Sequence, residues 1–237
     1  MKIAGIQKLT LLDFPGEVAC TVFTAGCTLK CPFCHNPGLV IKERLPRFYI
    51  NDDVFFVFLG KRKEKISGVV ISGGEPLLQP DIVPFIKKVH EMGFKVKLDT
   101  NGTFPEQLKS LLKSGLVDYV AVDIKSALQN YSHASGIEGS EAFKLPELIK
   151  KSVTVLMGSG IPYEFRTTVA CGLIDEADIR GIGELIRGAD AWYLQQFIND
   201  GDLVGTGKGL SSPSKQQLES YLCIAQEYVP NAKLRGV

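Results

Sequence analysis

Three cysteines lie within eight positions of one another, in a short segment bounded by glycine and proline. Cys27, Cys31 and Cys34 belong to the sequence GCTLKCPFCHNPG, residues 26–38, and their spacing is Cys-x3-Cys-x2-Cys. Three thiolates can hold three irons of a four-iron cluster, so that the fourth iron has no protein ligand. An open metal position can bind a substrate or cofactor directly, whereas a closed site is usually structural. The spacing therefore predicts one catalytic [4Fe-4S] cluster.

A zinc site is the simpler alternative for the same segment. Cys27, Cys31, Cys34 and His35 would supply the four ligands that structural zinc takes. However, His35 directly follows Cys34, and adjacent residues seldom converge on one tetrahedral ion. The residues favour the cluster over zinc. The other three cysteines lie in apolar segments and are expected to be buried small hydrophobic residues: Cys20, Cys171 and Cys223.

Six apolar segments are predicted to form buried strands, and the cysteine segment directly follows the first. They cover residues 18–24, 66–72, 95–99, 119–125, 163–169 and 192–198. Helices are predicted at about 53–63, 80–92, 105–114, 142–158 and 214–228, and after Asp175. Strands that alternate with helices form parallel sheets with right-handed crossovers. The sequence predicts an α/β fold, a partial (β/α)6 TIM-like barrel with parallel strands.

The barrel core is expected to cover residues 18–198 of a single domain, 1–237. Residues 1–17 are an N-terminal extension in which 3–12 are expected to pair as short strands, and residues 199–237 are a C-terminal loop and helix. The polar stretch 126–141 is expected to be a functional loop.

Composition is that of an ordinary globular protein, with 45% hydrophobic and 22% charged residues. A net charge of +1 provides no strong field for nucleic acid or an anionic membrane. The first residues lack the pattern of a signal peptide, and no apolar run approaches the roughly 20 residues of a membrane span. We expect a cytoplasmic protein that binds neither nucleic acid nor membrane.

Polar residues follow the predicted strands at their carboxyl ends, the rim where parallel α/β folds build active sites. They are the cysteine segment, Gly73-Gly74-Glu75-Pro76, Asp99-Thr100-Asn101-Gly102, Asp123 and Lys125, Arg166, and Gln195-Gln196. The two glycines form either a turn or a close approach to a ligand, with Glu75 as an acceptor for an ammonium group. Asp99 and Asp123 require a cation such as Lys125, in a structural ion pair or in ligand recognition. Arg166 is expected to pair with Glu164 or Asp123, or to bind a ligand carboxylate.

The segments CTLKCPFCHNP, SGGEP, DTNG and VDIK resemble the signature of radical SAM enzymes. The continuation His35-Asn36-Pro37 resembles the activases that install a glycyl radical in another enzyme. The nearest resemblance is to activating proteins of anaerobic ribonucleoside-triphosphate reductase, with the pyruvate formate-lyase activase as a cousin. It implies that the cluster binds S-adenosylmethionine (SAM) and receives an electron from flavodoxin or ferredoxin. A 5′-deoxyadenosyl radical would then abstract hydrogen from a glycine of a client glycyl radical enzyme.

The same resemblance implies the residues around the cofactors. SAM would be bound by Phe33, Cys34, His35, Gly73, Gly74, Glu75, Asp99, Asn101, Asp123, Lys125 and Arg166, and a monovalent cation by Asp99, Thr100, Val122 and Asp123. Residues 35–65 contain no cysteine, so one cluster is expected rather than several. Where the cousin activase has a histidine near the last core strand, this chain has the sequence QQFIND, which leaves the roles of Gln195 and His35 open.

Two other functions remain open from the sequence. A radical SAM enzyme acting on a small molecule or nucleoside would have a closed pocket, whereas an activase needs a groove that admits a peptide loop. The remote alternative is a non-catalytic zinc protein.

Overall fold

One sheet organises the fold. The computed structural model describes residues 1–199 and 201–236, and within these the sheet has eight strands in sequence order. The strands are β1 (Ile3–Thr10), β2 (Ala19–Thr24), β3 (Gly68–Gly73), β4 (Lys95–Thr100), β5 (Tyr119–Asp123), β6 (Tyr163–Val169), β7 (Trp192–Gln196) and β8 (Lys233–Arg235). β2 to β7 pair in parallel, which confirms the six predicted strands of the partial barrel. Their apolar side chains are buried because helices cover the outside of the sheet.

The two edges of the sheet differ from the prediction. Residues 3–12 do not form a strand pair. Instead β1 is a single strand that runs antiparallel to β2. At the other edge, β8 pairs in parallel with β7 and was not predicted at all. Only three residues long, Lys-Leu-Arg, it lacks the apolar run that identifies a buried strand.

Helices follow most strands and end close to their predicted limits. They are α1 (Pro37–Val40), α2 (Asp52–Gly60), α3 (Ile82–Glu91), α4 (Pro105–Lys113), α5 (Tyr131–Ser135), α6 (Leu145–Met157), α7 (Glu176–Leu185) and α8 (Lys215–Gln226). Local sequence explains where several begin. The side chain of Asn51 accepts a hydrogen bond from Asp53 N and so caps α2, and Asp175 and Asp178 form a capping box on α7.

The stretch 126–141 is not the open loop that its polarity suggested. It contains a 3₁₀ turn, Leu128–Asn130, followed by α5, and a second 3₁₀ segment begins at Gly139. The ring of Tyr131 is buried and anchors α5 against the core. Gly136 ends the helix with φ +64°, a left-handed conformation that glycine adopts without strain.

Burial of the scattered cysteines is confirmed for only one of them. Cys20 is buried in β2, whereas Cys171 is half-buried and Cys223 is exposed. Cys223 lies on α8, whose buried residues are Leu218, Tyr221, Ile224 and Ala225, so the cysteine falls on the opposite face. In the described part of the chain, no helix is both long and apolar enough to cross a membrane.

Candidate active site

A cavity of about 310 Å³ opens at the carboxyl ends of the parallel strands. Its lining includes ten of the eleven residues predicted to bind SAM: Phe33, Cys34, His35, Gly73, Gly74, Asp99, Asn101, Asp123, Lys125 and Arg166. Cys27, Cys31, Thr100 and Gln195 line it as well. Glu75 is the predicted residue that the cavity lining does not include. The strand ends therefore bring residues distant in sequence to one place, as expected for a parallel sheet.

Close backbone contacts position the cysteine loop, residues 26–34, against β3. Gly26 O accepts a hydrogen bond from Glu75 N at 2.8 Å. A Cβ atom at Gly74 would lie 2.0 Å from the same oxygen, so only glycine permits this approach. Gly74 thus allows the cysteine loop to pack against the end of β3, whereas a Cβ atom at Gly73 would meet the backbone of Thr24 in β2.

Two segments from later in the chain hold the other side of the cysteine loop. Lys30 N donates to Ser135 O at 2.8 Å, at the end of α5. Val204 N donates to Cys34 O at 2.9 Å, and Gly205 N donates to Pro32 O at 3.1 Å. The loop that carries the thiols is therefore fixed on three sides by main-chain hydrogen bonds.

The thiols lie in a protected environment with hydrogen-bond donors. Leu29 N donates to Cys27 Sγ at 3.4 Å, and Asn101 Nδ2 approaches the same sulfur at 3.6 Å. Burial raises the pKa of the Cys27 thiol to about 11 and that of Cys31 to about 12. Metal binding would reverse this preference, because a coordinated cysteine is a thiolate and releases its proton.

The carboxylate of Glu75 is fully buried and points toward the start of the loop that follows β4. It accepts hydrogen bonds from Leu77 N at 3.0 Å, from the Thr100 hydroxyl at 2.8 Å and from Asn101 N at 2.7 Å. Burial raises the pKa of Glu75 to about 7, and these donors oppose that shift. Glu75 therefore ties the end of β3 to the end of β4 in this structure, and its carboxylate does not line the cavity where it was expected to meet an ammonium group.

Five charged side chains form one connected network beneath and along the cavity. Lys97 Nζ lies 2.5 Å from Asp99 Oδ1, and Arg166 Nη1 lies 3.2 Å from Asp99 Oδ2. Arg166 Nε lies 2.7 Å from Asp123 Oδ1, and Lys125 Nζ lies 3.1 Å from Asp123 Oδ2. Burial alone would raise the pKa of Asp123, but Arg166 and Lys125 hold it below its usual value. The predicted pairing of Lys125 with Asp123 is present, and Arg166 bridges both aspartates.

Sequence reasoning missed Lys97. The residue is completely buried, which is rare for lysine without a partner. The sequence clue to its burial was its position two residues before Asp99 on a buried strand. Residues two apart in a strand point to the same face of the sheet. Arg166 does not pair with Glu164, as one alternative had it. Glu164 instead binds Arg235 of β8 through two contacts of 3.0 Å.

The two glutamines at the end of β7 make different contacts. Gln195 lines the cavity, whereas Gln196 Nε2 donates to Pro213 O at 3.0 Å. The ring of His35 lies 5.5 Å from that of Phe197, centroid to centroid. Asp200, the last residue of the QQFIND segment, lies outside the described residues.

Comparison with known proteins identifies the family. The family model of the radical SAM superfamily matches residues 21–176. The chain belongs to the radical SAM superfamily. A Methanocaldococcus jannaschii protein carries the provisional name of a glycyl-radical enzyme activating enzyme. It is 32% identical to this chain over 239 residues, which are 99% of this chain and 96% of that protein. The pyruvate formate-lyase-activating enzyme of Clostridium pasteurianum is 32% identical over 133 residues, 52% of each protein.

A solved structure supports the radical SAM fold. Streptococcus suis SuiB bound to S-adenosylmethionine superimposes with a TM-score of 0.67 at 17% identity, covering 89% of this chain and 48% of that one. At this identity the likeness concerns the fold. Family membership confirms the predicted enzyme class and the predicted cofactors, one [4Fe-4S] cluster and SAM, and it shows that the zinc-protein alternative is wrong.

The residues of this radical SAM chain fit such a cluster better than a single metal ion. Among the described residues, no three His, Cys, Asp or Glu side chains are grouped closely enough to hold one ion. A four-iron cluster makes no such demand, because each thiolate binds a different iron. Cys27, Cys31 and Cys34 line one cavity, and two donors already point at a thiol sulfur. Such N–H contacts to sulfur tune cluster potentials.

The monovalent-cation site stays a prediction. Its four residues are neighbours at the strand ends, where Thr100 pairs with Val122 in register. However, all four carboxylate oxygens of Asp99 and Asp123 are already held by side-chain cations. A bound cation would therefore share these oxygens with the side chains that already contact them.

Proposed function

We propose that this chain is an activase that uses SAM to generate a glycyl radical on a client enzyme. The observation that carries the proposal is the cavity itself, because Cys27, Cys31 and Cys34 line it together with four of the five side chains of the charge network. When bound, the cluster and SAM would supply reductive cleavage of the sulfonium bond and a radical able to abstract hydrogen from a glycine Cα.

Different side chains of the cavity would bind different parts of SAM. The network has three cations, Lys97, Lys125 and Arg166, and two anions, Asp99 and Asp123, so its net charge is 3 − 2 = +1. A net charge of +1 suits one carboxylate, and Arg166 and Lys125 both line the cavity. The amino-acid part of SAM is therefore assigned to this side. The remaining predicted contacts, from Phe33, Cys34, His35, Gly73, Gly74 and Asn101, would hold and enclose the rest of the molecule.

Sequence similarity favours a protein client over a small molecule. The relative that aligns over 99% of this chain carries the name of an activating enzyme. The motif resemblance favours anaerobic ribonucleotide reductase as the client, with flavodoxin or ferredoxin as electron donor. No general base is assigned, because a radical abstracts the hydrogen atom without one.

The test begins with anaerobic reconstitution of the full chain. Electron paramagnetic resonance on reduced protein, with and without SAM, should show a four-iron signal that changes when SAM binds. Adding anaerobic ribonucleotide reductase and SAM should then produce 5′-deoxyadenosine and a glycyl-radical signal on the reductase. Cys31→Ala should give neither, and Cys223→Ala, on the exposed face of α8, serves as the matched control.

The outcomes separate the alternatives. A SAM-responsive cluster that forms no radical on this reductase, but does so on another glycyl radical enzyme, would replace the client and retain the activase. Turnover of SAM with a nucleoside or another small molecule, and with no such enzyme, would overturn the activase proposal.

A further inference from the structure

A buried lysine lies behind Asp99 and outside the cavity lining. Lys97 is in the middle of β4, is completely buried and is not part of the cavity lining. Burying an ammonium group is unfavourable unless a partner compensates it. Its ion-pair partner is Asp99, at 2.5 Å, and the ring of Tyr119 lies 5.8 Å away, centroid to Nζ. A residue with this placement acts on the cavity through Asp99.

Asp99 connects Lys97 to the charged side chains that line the cavity. One of its oxygens is held by Lys97 and the other by Arg166, so the lysine leaves only one oxygen for the guanidinium. Arg166 is then shared between Asp99 and Asp123, which fixes the plane of its planar fork. Asp123 in turn holds Lys125. Lys97 therefore begins a chain of alternating charges that ends in the cavity.

Charge arithmetic gives Lys97 a second effect. With Lys97 the network carries +1, as counted above. Without it, Arg166 and Lys125 are balanced by Asp99 and Asp123, and the sum is 2 − 2 = 0. A neutral network no longer favours an anionic group in the cavity.

We propose that Lys97 is a positioning residue that serves as a built-in counter-ion for the SAM carboxylate pocket. Its ammonium orients Asp99 and Arg166 and leaves the network with one positive charge for the ligand. The proposal rests on SAM binding and not on the identity of the client, so failure of the activase assignment leaves it intact.

Binding measurements on anaerobically reconstituted protein test this role. Lys97→Met keeps an unbranched side chain, one atom shorter, and removes its charge. We expect it to weaken SAM binding about tenfold or more, by analogy with the loss of roughly 10- to 100-fold that follows removal of the hydrogen-bond partner of a metal ligand. The affinity for 5′-methylthioadenosine, which lacks the amino-acid group, should remain within about twofold of the wild-type value. A merely structural lysine would move both affinities together.

A matched control lies on the same strand. Lys95 is also ion-paired, with Glu17, but its side chain is exposed at the opposite end of β4. Lys95→Met should change neither affinity. Urea unfolding of the cluster-free proteins shows whether each variant is folded.

A conservative variant tests the role of the charge and covers the case in which Lys97→Met does not fold. Lys97→Arg keeps a positive charge next to Asp99 and keeps the network sum at +1. It should bind SAM within about threefold of wild type. Three results would overturn the proposal: unchanged SAM affinity in Lys97→Met, equal weakening of SAM and 5′-methylthioadenosine, or a folded Lys97→Arg variant that binds SAM at least tenfold more weakly than wild type.

Discussion

Replacing Glu75 by alanine should destabilise the protein before any cofactor is involved. The carboxylate accepts hydrogen bonds from Leu77 N, the Thr100 hydroxyl and Asn101 N, and all three donors belong to buried residues. Glu75→Ala leaves these donors without an acceptor in a place that solvent does not reach. A buried donor without a partner costs roughly 1–3 kcal/mol.

Three such donors give a loss of roughly 3–9 kcal/mol, and water that enters the vacated space would move the result toward the lower end. We therefore expect Glu75→Ala to lower the free energy of unfolding by about 4 kcal/mol. Glu75→Gln should lower it by less, about 2 kcal/mol, because one amide oxygen still accepts while the NH₂ group opposes a donor.

Urea unfolding of the cluster-free chains, followed by circular dichroism, measures these differences. Glu91→Ala is the matched control, since Glu91 is exposed and its contact with Lys87 is 3.8 Å long. It should change stability by less than about 0.5 kcal/mol. If Glu75→Ala proved as stable as Glu91→Ala but bound SAM weakly, the carboxylate would be a ligand for the SAM ammonium, and the argument from its buried donors would be refuted.

Three further perturbations follow from the site. Cys31→Ala should abolish cluster assembly while Cys223→Ala retains wild-type iron, and full iron content in the first variant would contradict the ligand assignment. Gly74→Ala should reduce cluster occupancy severalfold, because its Cβ would lie 2.0 Å from a backbone oxygen of the cysteine loop, whereas Gly201→Ala has open space and should not. Asp123→Asn should make the free energy of unfolding fall less steeply as the pH is lowered. Since its cationic neighbours lower the folded pKa of Asp123, this carboxylate contributes stability that is present above its usual pKa of 3.8 and is lost below it. The slope of unfolding free energy between pH 5 and pH 2 should fall by up to about 1 kcal/mol per pH unit, and equal slopes would count against the ion pairs.

The parallel core was predictable because its local signals agree. Each of the six strands is an apolar run that ends in a polar turn, so both its type and its carboxyl end can be located from the sequence. The strands at the edges of the sheet have weaker sequence signals. β8 is short and half-exposed, and its side-chain contact with the core is the pairing of Arg235 with Glu164 on β6.

Within the site, the sequence predicted where residues lie at the strand ends, but not the direction in which their side chains point. Strand ends identified Glu75 as a rim residue, but no sequence pattern shows that its carboxylate turns toward Asn101. Lys97 escaped notice for a related reason. A lysine in a strand is ordinarily at the surface, and only the folded sheet shows that this one is enclosed beside Asp99.

The support of the cysteine loop has a consequence for biosynthesis. The loop is encoded early in the chain, but it is held by Glu75, by Ser135 and, near the other end of the chain, by Val204 and Gly205. A nascent chain presents the three thiols long before it contains the residues that shape the loop around them. Contacts of such large sequence separation form late in folding. We therefore expect iron to be inserted stably only after residues 204 and 205 have been synthesised, and chains truncated before residue 204 to carry the complete ligand set without retaining a stable cluster.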